Sequence, residues 1–265
     1  MNELILVFFF RLLIIIFLGT ILIVGTFLII RAYKIKARNL YIIGMVWIIY
    51  FCGQLLNHLL HFHVAIYAIF SRSSFILMVV FTNLTFYKDR KSILPKIILT
   101  LAVIFGIIGW YYDSVRDISQ TTYILSRVFD FIHASICFDW LAFSCFSAYK
   151  KFKNVEIAPW IKVRYKLTYI SSPILTLSYL VLMFHPYDLP FGDISTTQSL
   201  IVYGLVSILI LTYGIVFTLA WIMPNWLKKY LNRGYHPVED EEISEEELIR
   251  LIKKQMSKED PVGNN

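Results

Sequence analysis

Residues 123–149, YILSRVFDFIHASICFDWLAFSCFSAY, decide how the whole chain is read. A hydrocarbon core of ~30 Å takes about 20 helical residues to cross, so the stretch is long enough to span a bilayer. Yet it carries Arg127, Asp130, His133 and Asp139. A charge near the bilayer centre costs at least ~2.5–3.5 kcal/mol on insertion scales, so such residues turn toward protein or water. At 100° per residue, Ser126, Arg127, Asp130, His133, Ala134, Cys137, Ser144 and Ala148 share one stripe, and Asp139 points away from it. The expectation is a helix sheltered by other helices.

The composition supplies those neighbours. Apolar residues make up 58% of the 265, aromatics 17% and charged residues only 16%, the balance of a membrane protein. The net charge of +7 conceals a split: residues 1–238 hold 21 Lys and Arg against 9 Asp and Glu, residues 239–265 hold 4 against 9. The basic residues flank apolar runs, so topology explains them better than nucleic acid does, and no nucleic-acid partner is expected. Cys52, Cys137 and Cys145 all fall inside apolar segments, which leaves no extracellular disulfide framework and no metal-ligand spacing. The first apolar run lacks a basic leader and a cleavage site, and reads as a retained helix.

Seven apolar segments can be drawn: 4–30, 40–60, 64–86, 95–111, 123–149, 167–184 and 200–221. Ser71-Arg72-Ser73-Ser74 interrupts the third toward one end. Lys and Arg crowd the connections after the first, third, fifth and seventh segments, whereas the opposite side has only Arg72 and Arg116. Cytoplasmic loops carry the excess of Lys and Arg. The fold class expected is therefore all-α: a polytopic integral membrane protein, a bundle of seven transmembrane helices in the cell membrane, N-terminus outside and C-terminus cytoplasmic. Residues 1–230 form the membrane domain and 231–265 a cytoplasmic tail. In that tail Ser244 and Glu247 make a capping box, and Leu248, Ile249, Leu251, Ile252 and Met256 share a face. A short amphipathic helix over about 244–257 is expected, docked on the basic loops or offered, through residues 239–258, to a cytosolic protein.

Two polar stripes carry what chemistry there is. In the second segment Trp47, Tyr50, Gln54, Asn57, His58 and His61 recur at helical spacing. Gln54 to His61 fall in its outer half, and so do Arg127, Asp130 and His133 in the fifth. Gln54, Asn57, His58, His61, Arg127, Asp130 and His133 are thus the candidate lining of an outward-facing pocket for a small ligand or a proton. Arg11, Tyr203 and Ser207 lie at depths that could join it. The competing reading is structural: interhelical hydrogen bonds in membranes are common and contribute roughly 0.6 kcal/mol each. Asp139, with Ser135 a turn away, is a separate acid, and Asp130 with Asp139 would make two stations of a proton relay.

Motifs narrow the function classes. The seventh segment contains no lysine, so nothing there can anchor retinal. A bis-histidine haem through His58 and His133 is geometrically conceivable on two residues alone; a zinc centre needs three or four convergent ligands, and His63 lies off the face of His58 and His61. No phosphate-binding glycine loop, GxSxG or HExxH occurs. The leading reading is a receptor-like or sensor-like protein that signals through basic loops and tail, with no catalytic residues assigned. A proton-coupled carrier using Asp130 and Asp139 is the first rival, and a haem- or metal-binding membrane enzyme the second. Pro173, after Ser171-Ser172, offers a hinge in the sixth segment.

Overall fold

In lipid the backbone must satisfy its own hydrogen bonds, so charge-poor runs of this length become helices. The computed structural model describes residues 2–58, 63–88, 90–153, 157–189, 191–193, 195–233 and 235, with backbone alone for 2–4 and 58. Its elements are α1 (Asn2–Ile35), α2 (Arg38–His58), α3 (Val64–Phe86), α4 (Leu94–Ser114), a single 3-10 turn (Arg116–Ile118), α5 (Gln120–Phe152), α6 (Pro159–Leu182), α7 (Thr197–Ile222) and the short α8 (Asn225–Leu231). Six of them, α1 to α5 and α7, are long and apolar enough to cross a membrane, which marks a multi-pass membrane protein. α6 falls short of that apolarity because Lys162, Arg164 and Lys166 occupy its first half. Arg164 folds over the rings of Trp160 and Trp221, with its guanidinium 4.8 and 5.7 Å from their centroids. The expected tail helix over 244–257 lies outside the described residues.

α1, α4, α5 and α7 run past their apolar segments at both ends, whereas α3 matches its own, since capping groups and not hydropathy fix where a helix stops. α5 starts at a capping box in which Ser119 and Thr122 exchange side-chain and backbone hydrogen bonds. α1 ends with Lys36 in the left-handed region (φ 54°), and the N–H of Ala37 donates to the Ala32 carbonyl at 3.1 Å. This is a Schellman closure with lysine in the glycine position.

Packing follows chain order. Each helix from α1 to α7 touches the next, and α7 returns to α1 to close the ring. α3 and α5 also meet, so α5 is held by α3, α4 and α6, the sheltering its sequence calls for. Among the described residues α4 packs mainly on its neighbours α3 and α5 and on the 3-10 turn. Where α1 crosses α2, a Cβ on Gly44 would stand 2.7 Å from Ile29 Cγ1 and 3.0 Å from the Gly25 carbonyl, so these glycines permit backbone approach. Trp47, Phe75, Phe138, Tyr213 and Phe217 interlock across α2, α3, α5 and α7, with neighbouring ring centroids 4.8–6.1 Å apart. That aromatic core lies beneath the polar cluster.

Candidate functional site

The cluster is built around a residue that hydropathy assigns to the edge of a span. Arg72 lies inside α3, 5% exposed, its stem beside Ala68 and Phe75 of the buried face. Its guanidinium bridges two other helices. Nε and Nη2 donate to Asp113 Oδ2 of α4 at 3.1 and 2.6 Å, and Nη2 also donates to Asp130 Oδ1 of α5 at 2.6 Å. Ser126 Oγ donates to the other Asp113 oxygen at 2.6 Å. Arg127 Nη1 stands 3.6 Å from Asp130 Oδ2, while Nη2 donates to Tyr123 Oη at 3.4 Å with the guanidinium over that ring. One cation and two carboxylates from three helices fix their mutual register, because charges so far from water tolerate no unpaired alternative.

Backbone geometry makes the room. A Cβ on Gly109 would lie 2.2 Å from Arg72 Nη1 and 2.4 Å from Cζ, so only glycine lets the guanidinium reach Asp113 past α4. The buried face of α4 reads Ala102, Gly106, Gly109, Asp113, small residues at helical spacing that lead to the acid.

Beside the clamp is a cavity of about 40 Å³ at the end of the bundle where α3 begins and α4 finishes. Its polar lining is Tyr67, Ser71 and Arg72 of α3, Asp113 of α4, Arg116 of the 3-10 turn, Arg127, Asp130 and His133 of α5, and Tyr179 of α6. A water molecule needs roughly 10–15 Å³ measured this way, so the space suits about three water-sized bodies. Ligand pockets for drug-sized molecules run to ~300–1,000 Å³.

Of the residues singled out from sequence, Arg127, Asp130 and His133 line this cavity together. His133 is almost wholly buried and stacks on Phe75, ring centroids 5.7 Å apart. Gln54 stands one layer behind, its Nε2 donating to Tyr67 Oη at 3.0 Å. Asn57 is half-buried on α2 and is not part of the lining. His58 closes α2, with its side chain outside the described atoms, and His61 lies outside the described residues. Tyr203 is buried on α7 beside Arg11 of α1, and Ser207 donates to the Tyr203 carbonyl at 2.7 Å; none of the three reaches the cavity. Asp139 faces the outer surface of the bundle and accepts from Thr176 Oγ1 of α6 at 3.1 Å. Nine residues along a helix is half a turn out of phase, so Asp130 and Asp139 sit on opposite sides of α5 and the structure does not join them.

One member of the cluster corrects the sequence reading. Arg72, counted with the outer side, is buried within α3 and pairs with Asp113, itself buried in α4. Window hydropathy scores a cation in the same way whether it meets water or a carboxylate. The usable signal was the small-residue stripe of α4 ending in Asp113. Among the described residues no group of three or more His, Cys, Asp or Glu gathers as a metal-ligand set.

No family of known proteins matches the chain, and no curated protein or solved structure does either.

Proposed function

We propose that the chain is a receptor-like or sensor-like membrane protein of seven spans in the cell membrane, with α6 as the sixth span. Its N-terminus is outside, its cavity faces outward, and its basic loops and tail address a cytosolic partner. The reading rests on the charge distribution along the chain and, above all, on the Arg72–Asp113–Asp130 clamp beside a small polar cavity. Two carboxylates sharing one guanidinium across α3, α4 and α5 form a two-state element. Adding a proton or a small polar species changes how much charge binds the helices together, and the ends of those helices carry the change across the bilayer. The cavity volume favours a proton or a very small ligand over a larger one. Asp130 and Asp139 lie on opposite sides of α5, which supports the sensor reading over a two-station carrier.

The test is the position of helix ends against pH. With Cys52, Cys137 and Cys145 replaced by alanine, spin labels at Lys88→Cys and Lys150→Cys report the separation of α3 and α5 at the opposite end of the bundle. In lipid nanodiscs their distance distribution should differ between about pH 8 and about pH 5. Asp130→Asn should hold one distribution at both values. Identical distributions in both proteins at both pH values would leave the clamp a purely architectural device.

A further inference from the structure

We propose that the cavity beside the clamp is a binding site for a small monovalent anion, a halide or a short carboxylate such as formate. The proposal rests on the sensor reading only in naming what that same cavity takes. Three guanidinium groups, Arg72, Arg116 and Arg127, line it against two carboxylates, Asp113 and Asp130. Both carboxylates are already engaged by Arg72 at 2.6 Å. Asp117, which contacts Arg116 Nε at 3.4 Å, is 76% exposed and outside the lining, so water screens it. The lining therefore carries one positive charge in excess.

The donors tell the same story. Arg72 Nη1, Arg116 Nε, Arg127 Nε and His133 Nε2 are buried nitrogens without a hydrogen-bond partner. Arg72 Nη1 lies against Gly109, His133 Nε2 against Gly106 and Arg116 Nε beside Asp117, which leaves Arg127 Nε to serve an occupant with the Arg116 charge near it. A buried donor left unmet is costly, and an acceptor-only species beside two arginines meets it best. Tyr67, Ser71 and Tyr179 add hydroxyls that can turn to donate. A cation would find its carboxylates taken and three guanidiniums repelling it. Volume sets the size: about three water-sized bodies fit, which admits chloride or formate and excludes gluconate.

The experiment uses the full chain in detergent micelles, with thermal unfolding followed by tryptophan fluorescence at fixed pH and ionic strength. Replacing gluconate by chloride or formate should raise Tm saturably, by about 2 °C or more. Arg127→Gln should lose the rise, Arg116→Gln at the cavity mouth should need more anion for it, and Lys96→Gln, far away on α4, should keep it. Because Arg127→Gln is buried and can fail to fold, the Arg116→Gln titration is the second arm. Equal Tm in gluconate, chloride and formate overturns the proposal, as does a rise undiminished in both arginine variants. Helix movement with pH but no anion effect would leave the sensor reading standing with the proton as its ligand. An anion effect without helix movement would keep the site and remove the sensor.

Discussion

Gly109→Ala sets two physical effects of opposite sign against each other. In an ordinary helix interior the change stabilises by roughly 0.5–1 kcal/mol, because alanine loses less backbone entropy. Here the new methyl would stand 2.2 Å from Arg72 Nη1, 2.4 Å from Cζ and 2.6 Å from Nη2. No carbon contact is that short, so the guanidinium must leave. An arginine can usually swing aside at little cost, but this one is tied at 2.6 Å to carboxylates on two helices. Separating a buried ion pair costs about 3–5 kcal/mol. Allowing for the propensity gain, the net loss should be about 2–4 kcal/mol. Unfolding by SDS titration in mixed micelles measures it. In an Arg72→Met background the clash is gone, and Gly109→Ala should return to neutral or slightly stabilising, giving a coupling of roughly 3 kcal/mol. If Gly109→Ala alone raises stability, Arg72 is not held between the two acids and the clamp is refuted.

Asp139→Leu removes a carboxylate from the outer surface of the bundle, where it accepts from Thr176 Oγ1 at 3.1 Å; the variant should be at least as stable as the parent, and its helix-end distances should respond to pH as before. Lys36→Gly relieves a left-handed backbone at the α1 terminus and should add about 1 kcal/mol in the same SDS titration. His185, in the turn after α6, contacts Tyr123 Oη and Ser199 Oγ at 3.2 and 3.3 Å. Its burial, and then the nearby Arg127 charge, hold its pKa below the ordinary 6.5. The folded protein therefore takes up this proton later than the unfolded chain as pH falls. The stability it contributes is complete above 6.5 and is lost below it. His185→Gln should flatten the decline of Tm between about pH 6.5 and 5, and an unchanged slope would count against this sign.

Periodicity made much of α5 legible: Ser126, His133, Ala134, Cys137, Ser144 and Ala148 of the stripe are buried, Arg127 and Asp130 are half-buried, and Asp139 points out, as a 100° rotation requires. Trp47, Tyr50 and Gln54 of α2 were legible for the same reason. What sequence could not show was pairing. Arg72 breaks an apolar run, and only the arrival of Asp113 and Asp130 from later helices turns that break into an interior position. Asn57 shares the stripe of Gln54 but lies a turn farther toward the helix end and is not part of the cavity lining. α6 was legible only in its second half, since the charged first half is apolar only once Trp160 and Trp221 cover Arg164.

The clamp also has an order of synthesis written into it. Arg72 leaves the ribosome before either acid that neutralises it, and Asp113 emerges before Asp130. Alone in lipid, α3 would carry a bare cation at ~2.5–3.5 kcal/mol, offset by the apolarity of the rest of the helix. Among the described residues α4 leans mainly on α3 and α5. Until α4 inserts and delivers Asp113, the growing chain carries an unmatched charge, so α3 and α4 gain by entering the bilayer as a pair.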